Sequence, residues 1–228
     1  MVLNVHEGYR NVRKFFCSEN ACSYDSIVRI TTFGQDSFWK RRIINIIDKK
    51  SSVLDLACGT GILSSMLIDN NMVINVTSLD LIFDYLQIAK KKKKKLSLTN
   101  GTAEILPYKD DYFDSVVSSY LSKYVDTKKV INECWRTLNH EGIVVFHDFT
   151  YPEKKVLQRF WNAYFVMLRM LGYIVKSWKV VFKELDQVIR TSNWVEYTMK
   201  SLEQKGFVNI SCNYYTFGTA AIIFAEKP

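Results

Sequence analysis

The sequence has no cysteine pair at CxxC spacing and no cluster of histidines. Its cysteines, Cys17, Cys22, Cys58, Cys134 and Cys212, are odd in number and scattered. That pattern argues against a disulfide framework and for reduced thiols inside a cell. His6, His140 and His147 lie far apart, and none is near a cysteine pair, so no metal site is expected. A signal peptide and internal repeats are missing as well. The apolar stretch 157–175 is broken by Arg159 and Arg169, whereas a spanning helix needs about 20 mainly apolar residues. These absences leave a soluble, cytoplasmic protein, and 228 residues suffice for one domain with a proper core.

Basic charge is present but local. The net charge is +8, and the unbroken run of six lysines at 90–95 accounts for most of it; without that run the chain would carry +2. At the end of a helix beginning near Ile82, such cations have a favourable place. A second reading is a patch that brings the protein into peripheral contact with an anionic membrane. No aromatic residue is interleaved with the lysines to stack on bases, so no nucleic-acid partner is expected.

Apolar runs predict strands at 53–57, 74–79, near 103–105, 114–119, 143–149, 208–215 and 219–225. Helical patterns fall at 36–48, 61–69, 82–95, 127–138 and 195–205. Strands separated by helices predict a Rossmann-like, doubly wound α/β sheet of about seven strands, mostly parallel. The last two strands are too close for a crossover and predict an antiparallel hairpin. Between Tyr151 and Phe182 there are eight aromatic residues. We read 151–195 as a helical lid inserted into a single domain, with a helical segment at 1–50, a cofactor-binding core at 51–150, and the last helix and hairpin at 196–228. An amphipathic core helix is the alternative for the aromatic stripe.

The stretch VLDLACGTGILSSM at 53–66 runs from a buried strand through two glycines into a helix. Phosphate loops, dinucleotide sites and S-adenosylmethionine sites all use glycine at such a turn. A phosphate loop needs a Gly-Lys pair, which is absent. In a dinucleotide fingerprint the third glycine permits close helix packing, and Ser64 stands there instead. Asp55, within the strand, suits an amino group or backbone amides and would repel a pyrophosphate. Asp80, at the end of the second strand and nineteen positions after Gly61, is where a ribose-binding acid is expected. Each acid also has a structural alternative: Asp80 as the cap of the next helix, and Asp55 as a partner of the turn amides.

VLDLACGTG, SLDL, GTAEILPYKDDYFDSVVSSYLSKYVD and INECWRTLNHEGIVVFHDF resemble the successive motifs of class I S-adenosylmethionine-dependent methyltransferases. More narrowly, the chain is similar to the ubiquinone/menaquinone biosynthesis C-methyltransferases. Tyr24-Asp25, Phe33-Gly34, Trp39-Lys40-Arg41, Gly206-Phe207 and Phe217-Gly218-Thr219-Ala220 extend the resemblance over about 24–228. It implies S-adenosylmethionine as cofactor, with Gly59, Thr60 and Gly61 along the methionine part and Asp80 on the ribose. Thr102 and Ala103 would flank adenine, and Ser119 would sit near the transferred methyl. Tyr24, Asp55, Ala57 and Leu81 complete the expected cofactor set.

The family's FGxRN element is here Tyr120-Leu121-Ser122-Lys123-Tyr124. Lys123 keeps a positive charge without the planar guanidinium, and Tyr124 does not replace Asn. Lys123 and His147 are the catalytic candidates, with a solvated lysine and a satisfied strand-end histidine as their alternatives. The resemblance implies C-methylation of a small, apolar, lipid-tailed molecule, a prenylated quinone precursor. The alternatives are methylation of another small molecule on carbon, oxygen or nitrogen, an RNA methyltransferase, and a non-catalytic cofactor-binding module.

Overall fold

The computed structural model describes residues 12–47, 52–70, 75–93 and 95–228. His6, the N-terminal part of the 1–50 segment, most of the break after the first long helix, and Lys94 lie outside these residues. After helices α1 (Ser18–Ala21), α2 (Tyr24–Thr31) and α3 (Gln35–Ile47), strands and helices alternate: β1 (Ser52–Leu56), α4 (Ile62–Asp69), β2 (Asn75–Asp80), α5 (Phe83–Lys92), β3 (Ser97–Asn100), β4 (Phe113–Ser119), α6 (Thr127–Thr137) and β5 (Leu138–Phe149). Helices α7 (Lys155–Ile174), α8 (Lys179–Ser192) and α9 (Trp194–Lys205) follow, and β6 (Val208–Tyr215) and β7 (Ala220–Glu226) close the chain.

The seven strands form one sheet in the order β3-β2-β1-β4-β5-β7-β6. Pairs among β1 to β5 are parallel, and β7 runs antiparallel to both β5 and β6. Successive residues of the central strands serve opposite faces, as the pleat dictates. Val53, Val117, Val145 and Ile222 enter a core with Ile43, Ile44 and Ile47 of α3 and Leu63 and Leu67 of α4. Their neighbours Leu54, Val116, Val144 and Ile223 enter the other core, with Val130 and Ile131 of α6 and Trp194 and Leu202 of α9. Helices on both faces of a largely parallel sheet are the expected doubly wound α/β class, and β6–β7 is the expected hairpin.

One strand falls elsewhere than the pattern predicts. The third strand is Ser97–Asn100, and residues 102 and 105 form only an isolated bridge across a turn. That turn is stapled rather than paired. Arg136 donates to the Leu106 and Tyr108 carbonyls and to Glu133, while Glu133 accepts the Leu106 amide at 2.7 Å. A four-residue edge strand straight after a lysine run has no periodicity to reveal it. Helix α5 also stops early, at Lys92; Lys90, Lys91 and Lys95 are exposed, while two members of the run have partners. Lys92 pairs with Asp25 and donates to the Thr60 carbonyl at 3.0 Å, and Lys93 pairs with Asp69.

Residues 151–193 carry α7, a short 3-10 turn (Lys176–Trp178) and α8. Trp161, Phe165, Leu168, Trp178 and Phe182 form a third core with Phe15, Ile27 and Tyr124. Trp178 Nε1 donates to Ser23 Oγ at 2.8 Å and Tyr164 to the Thr31 carbonyl at 2.5 Å, fixing these helices to the N-terminal ones. All five cysteines are free. Among the described residues no helix is long and apolar enough to cross a membrane.

Candidate functional site

At the end of β1 the chain turns sharply: Ala57, Gly59 and Gly61 all have positive φ, at 56, 57 and 76°. The two glycines serve different ends. A Cβ on Gly59 would meet only the Tyr85 ring, at 3.7 Å, so the space above it is open to a ligand. A Cβ on Gly61 would press on Ala89 and Leu96 at 3.1 and 3.2 Å, so this glycine lets α5 and the following loop pack closely.

Above Gly59 lies a cleft at the carboxyl ends of β1, β2 and β4. It is lined by Tyr24, Ala57, Asp80, Leu81, Thr102, Ala103 and Ser119 of the predicted set, and also by Phe16, Ile82, Tyr85, Tyr120 and Tyr124. Asp80 is its fixed point. One carboxylate oxygen accepts the Gly59 amide and the other the Ile82 amide, both at 2.7 Å. The capping role and the cleft role therefore coexist, since each oxygen keeps a lone pair for a further donor. Burial pushes this carboxyl up to about 6, against the hydrogen bonds from Ile82 and Gly59.

Three predicted residues do not line the cleft. Asp55 is buried beneath it, accepting the Ser64 hydroxyl at 2.5 Å, and Ser78 Oγ donates to Ser64 at 2.8 Å. Burial pushes Asp55 up to about 7, with the Ser64 hydroxyl opposing the shift. Serine at the third fingerprint position is thus the partner of the strand acid. Thr60 turns away, its hydroxyl donating to Asp25 at 2.5 Å, and Gly61 opens α4.

A second, largely apolar cavity of about 320 Å³ adjoins the first. Its walls come from α2, α7 and α8, including Ile27, Phe160, Tyr164, Leu168 and Phe182. The two cavities share Phe16, Tyr24, Tyr120 and Tyr124. These four rings form the partition wall common to both cavities.

Behind the wall lies a set of buried charges. Lys123, which lines the second cavity, pairs with Asp148 and donates to the Tyr120 carbonyl at 3.3 Å. Burial lowers the lysine and raises the acid, while each holds the other charged. Lys40 pairs with Asp36 one helical turn away, and Asp36 accepts the Tyr120 hydroxyl at 2.8 Å. His147 lines neither cavity. Its Nδ1 lies 2.9 Å from Ser119 Oγ, and its Nε2 has no partner among the described residues. Burial, with Lys40 and Lys123 nearby, holds this imidazole well below its usual value, hence neutral. Which partner donates in the Ser119–His147 hydrogen bond follows from the tautomer of the neutral ring.

Sequence reasoning named Tyr120 only as the start of the altered element and gave Asp36 and Lys40 no role. The available signal was Asp36 and Lys40 at i and i+4 on the face of α3 that also carries Trp39, Ile43 and Ile47. A charged pair on a core-facing stripe needs a buried partner.

The cleft fits S-adenosylmethionine. Asp80 offers two oxygens to a ribose diol, Leu81, Ile82 and Ala103 give apolar walls for a flat base, and among the described residues no basic side chain lines the cleft to favour a phosphate. Sheet order, open glycine turn and acid at the end of β2 together define a class I S-adenosylmethionine-dependent methyltransferase. Within that class the chain belongs to the ubiE/COQ5 methyltransferase family, which matches residues 4–227. It is 29% identical over 219 residues to the demethylmenaquinone methyltransferase of Thermus thermophilus, covering 92% of this chain and 99% of that one. To the ubiquinone/menaquinone biosynthesis C-methyltransferase UbiE of Campylobacter jejuni it is 26% identical over 221 residues, covering 91% and 94%. Among solved structures, a candidate S-adenosyl-L-methionine-dependent methyltransferase of Methanococcus maripaludis superposes with a TM-score of 0.69 at 18% identity, covering 92% of this chain and 93% of that one.

Proposed function

We propose that the chain methylates a ring carbon of a prenylated hydroquinone, the reduced form of a quinone precursor. The observation that carries this reading is the apolar cavity meeting the cofactor cleft at a wall of four aromatic residues. A flat ring suits the wall, and an isoprenoid tail suits the space between α2, α7 and α8. The names of the two bacterial relatives point the same way.

The cofactor supplies a methyl group already activated on a sulfonium, so the protein has chiefly to align and ionise the acceptor. Asp80 holds the ribose, Gly59 leaves room for the methionine part, and Thr102 and Ala103 flank the base. Ser119, oriented by His147, sits on the cleft side of the wall. Lys123 faces the acceptor cavity with one ammonium proton free of Asp148 and Tyr120, and it would hold the oxygen as charge develops there. In this reading the chain is one domain, and 151–195 acts as a lid over the acceptor.

Peripheral contact with an anionic bilayer belongs to the same reading. Val156, Phe160, Met167, Met170 and Ile174 of α7 are exposed at helical spacing, with Phe160 at 70% and Ile174 at 79%. Residues 151–193 carry eight basic side chains against three acidic ones, and Phe160 also lines the acceptor cavity. These features support α7, rather than the lysine run, as the surface that meets lipid.

The test is incubation of the full chain with S-adenosylmethionine and a short-tailed prenyl hydroquinone lacking the ring methyl. A product heavier by one methylene, with the methyl on carbon, is expected. Tight cofactor binding with no such product would sink the proposed acceptor class.

A further inference from the structure

Tyr120 occupies a position that packing alone does not explain. Its backbone has φ of 71°, in the left-handed region that side-chain-bearing residues avoid, and its amide is held by the His147 carbonyl at 2.8 Å. Strain of this kind collects where a side chain must be aimed. The side chain is aimed at the junction, since Tyr120 lines both the cofactor cleft and the acceptor cavity. Its ring stacks on Phe149 with centroids 4.7 Å apart, so it has little freedom to turn away.

The hydroxyl leads to a buried acid. Tyr120 Oη donates to Asp36 Oδ1 at 2.8 Å, and Asp36, only 4% exposed, lines neither cavity. Lys40, equally buried, pairs with the same carboxylate and lies 4.8 Å over the Tyr120 ring. A phenol whose proton is committed to a carboxylate has its oxygen free to accept one. Neither other candidate has this arrangement: His147 is shut behind Ser119, and Lys123 already holds its protons.

We propose that Tyr120 is a catalytic residue that takes the acceptor's hydroxyl proton while passing its own to Asp36, and that Lys40 is a positioning residue for Asp36. The inference rests on the hydroquinone reading above. In the step, the acceptor's ring carbon beside the ionising oxygen bonds to the methyl carbon as the methyl–sulfur bond breaks, and that electron pair returns to sulfur. The proton on the methylated carbon then leaves to water, restoring the aromatic ring. Asp36 returns its proton through Tyr120 to the acceptor oxygen. The net change is a ring C–H become C–CH3, the sulfonium become a neutral thioether, and one proton released.

The test compares the native chain, Tyr120→Phe and Asp36→Asn on two acceptors. One is a short-tailed prenyl hydroquinone; the other is its nitro-substituted counterpart, assayed at a pH where its hydroxyl is already ionised. Both variants should lose on the order of 100-fold in kcat on the first acceptor, with KM for either ligand changed less than threefold. On the ionised acceptor the loss should shrink to a few-fold, because no proton has to be removed. Full activity of Tyr120→Phe on the first acceptor overturns the proposal. An equal loss on both acceptors also overturns it, since that is the mark of a packing role. Tyr120→Phe removes a single oxygen and decides the matter should Asp36→Asn fail to fold, with cofactor titration as the check on folding. If the native chain turns over neither acceptor, the hydroquinone reading itself falls and takes this step with it.

Discussion

Asp80 and Asp55 are both buried carboxylates, yet their surroundings give them opposite duties. Asp80 faces the cleft with two amides already on it, so in the proposed role an ionised carboxylate there would hold a diol by two further charge-assisted bonds. Asp80→Ala should weaken S-adenosylmethionine binding by on the order of 100-fold or more, at about 1.5–3 kcal/mol per bond, as read by calorimetric titration. The native affinity should also fall as pH drops through about 6, where the carboxyl protonates and loses acceptor strength. Asp55 has no ligand to meet. Its folded value of about 7 stands above the unfolded 3.8, so the folded chain binds the extra proton between those values. That contribution to stability is full at low pH and is lost as pH rises toward 7. Asp55→Asn, which keeps an acceptor for Ser64, should therefore have a Tm advantage over the native chain that widens from pH 4 to 7 and then levels. A gap that does not vary with pH would refute the buried-charge account.

At the level of elements, the strands and helices whose side chains repeat with period 2 or 3.6 were legible in the sequence, because each must bury one face. Val116 and Val117 show this within two residues, one in each core. What was not legible was held by single side chains rather than by periodicity. The turn at 102–108, expected as a strand, is kept in place by Arg136 and Glu133 from α6. Arg136→Met should cost about 2 kcal/mol in chemical unfolding, from several partly exposed hydrogen bonds lost together, and should loosen cofactor binding through Thr102 and Ala103. The cofactor cleft was similarly legible, since its glycines and Asp80 lie at strand ends that sequence order alone defines. On the other side, the aromatic stretch 151–195 and the Tyr120–Tyr124 segment were singled out in the sequence and do line the second cavity, whereas Asp36 and Lys40 come from α3 and only the folded sheet brings them to Tyr120.

On the scale of the whole molecule, exposed aromatic side chains gather at the rim of the second cavity. The acceptor cavity reaches the surface beside Phe33, Phe160 and Phe217, all at least 70% exposed. The full chain should sediment with vesicles containing phosphatidylserine and much less with phosphatidylcholine alone, and the difference should shrink in high salt. Phe160→Glu and Met170→Glu together should lower that binding about tenfold or more while leaving the cofactor affinity unchanged. Loss of binding on neutralising the lysines at 90–95 instead would move the contact from α7 to the last turn of α5 and the lysines that follow it.

The shared wall of Phe16, Tyr24, Tyr120 and Tyr124 has a kinetic consequence. If each ligand takes its own chamber, as proposed, and the chambers meet at these rings among the described residues, neither has to leave before the other can. On that reading spent cofactor would be exchanged while the acceptor's tail stays seated, and a fresh acceptor would arrive with the cofactor already in place. Initial-rate patterns should accordingly be those of random addition, with product inhibition by S-adenosylhomocysteine competitive only against S-adenosylmethionine. An enzyme built this way would work as a stationary port on a bilayer, visited by water-borne cofactor from one side and by lipid from the other.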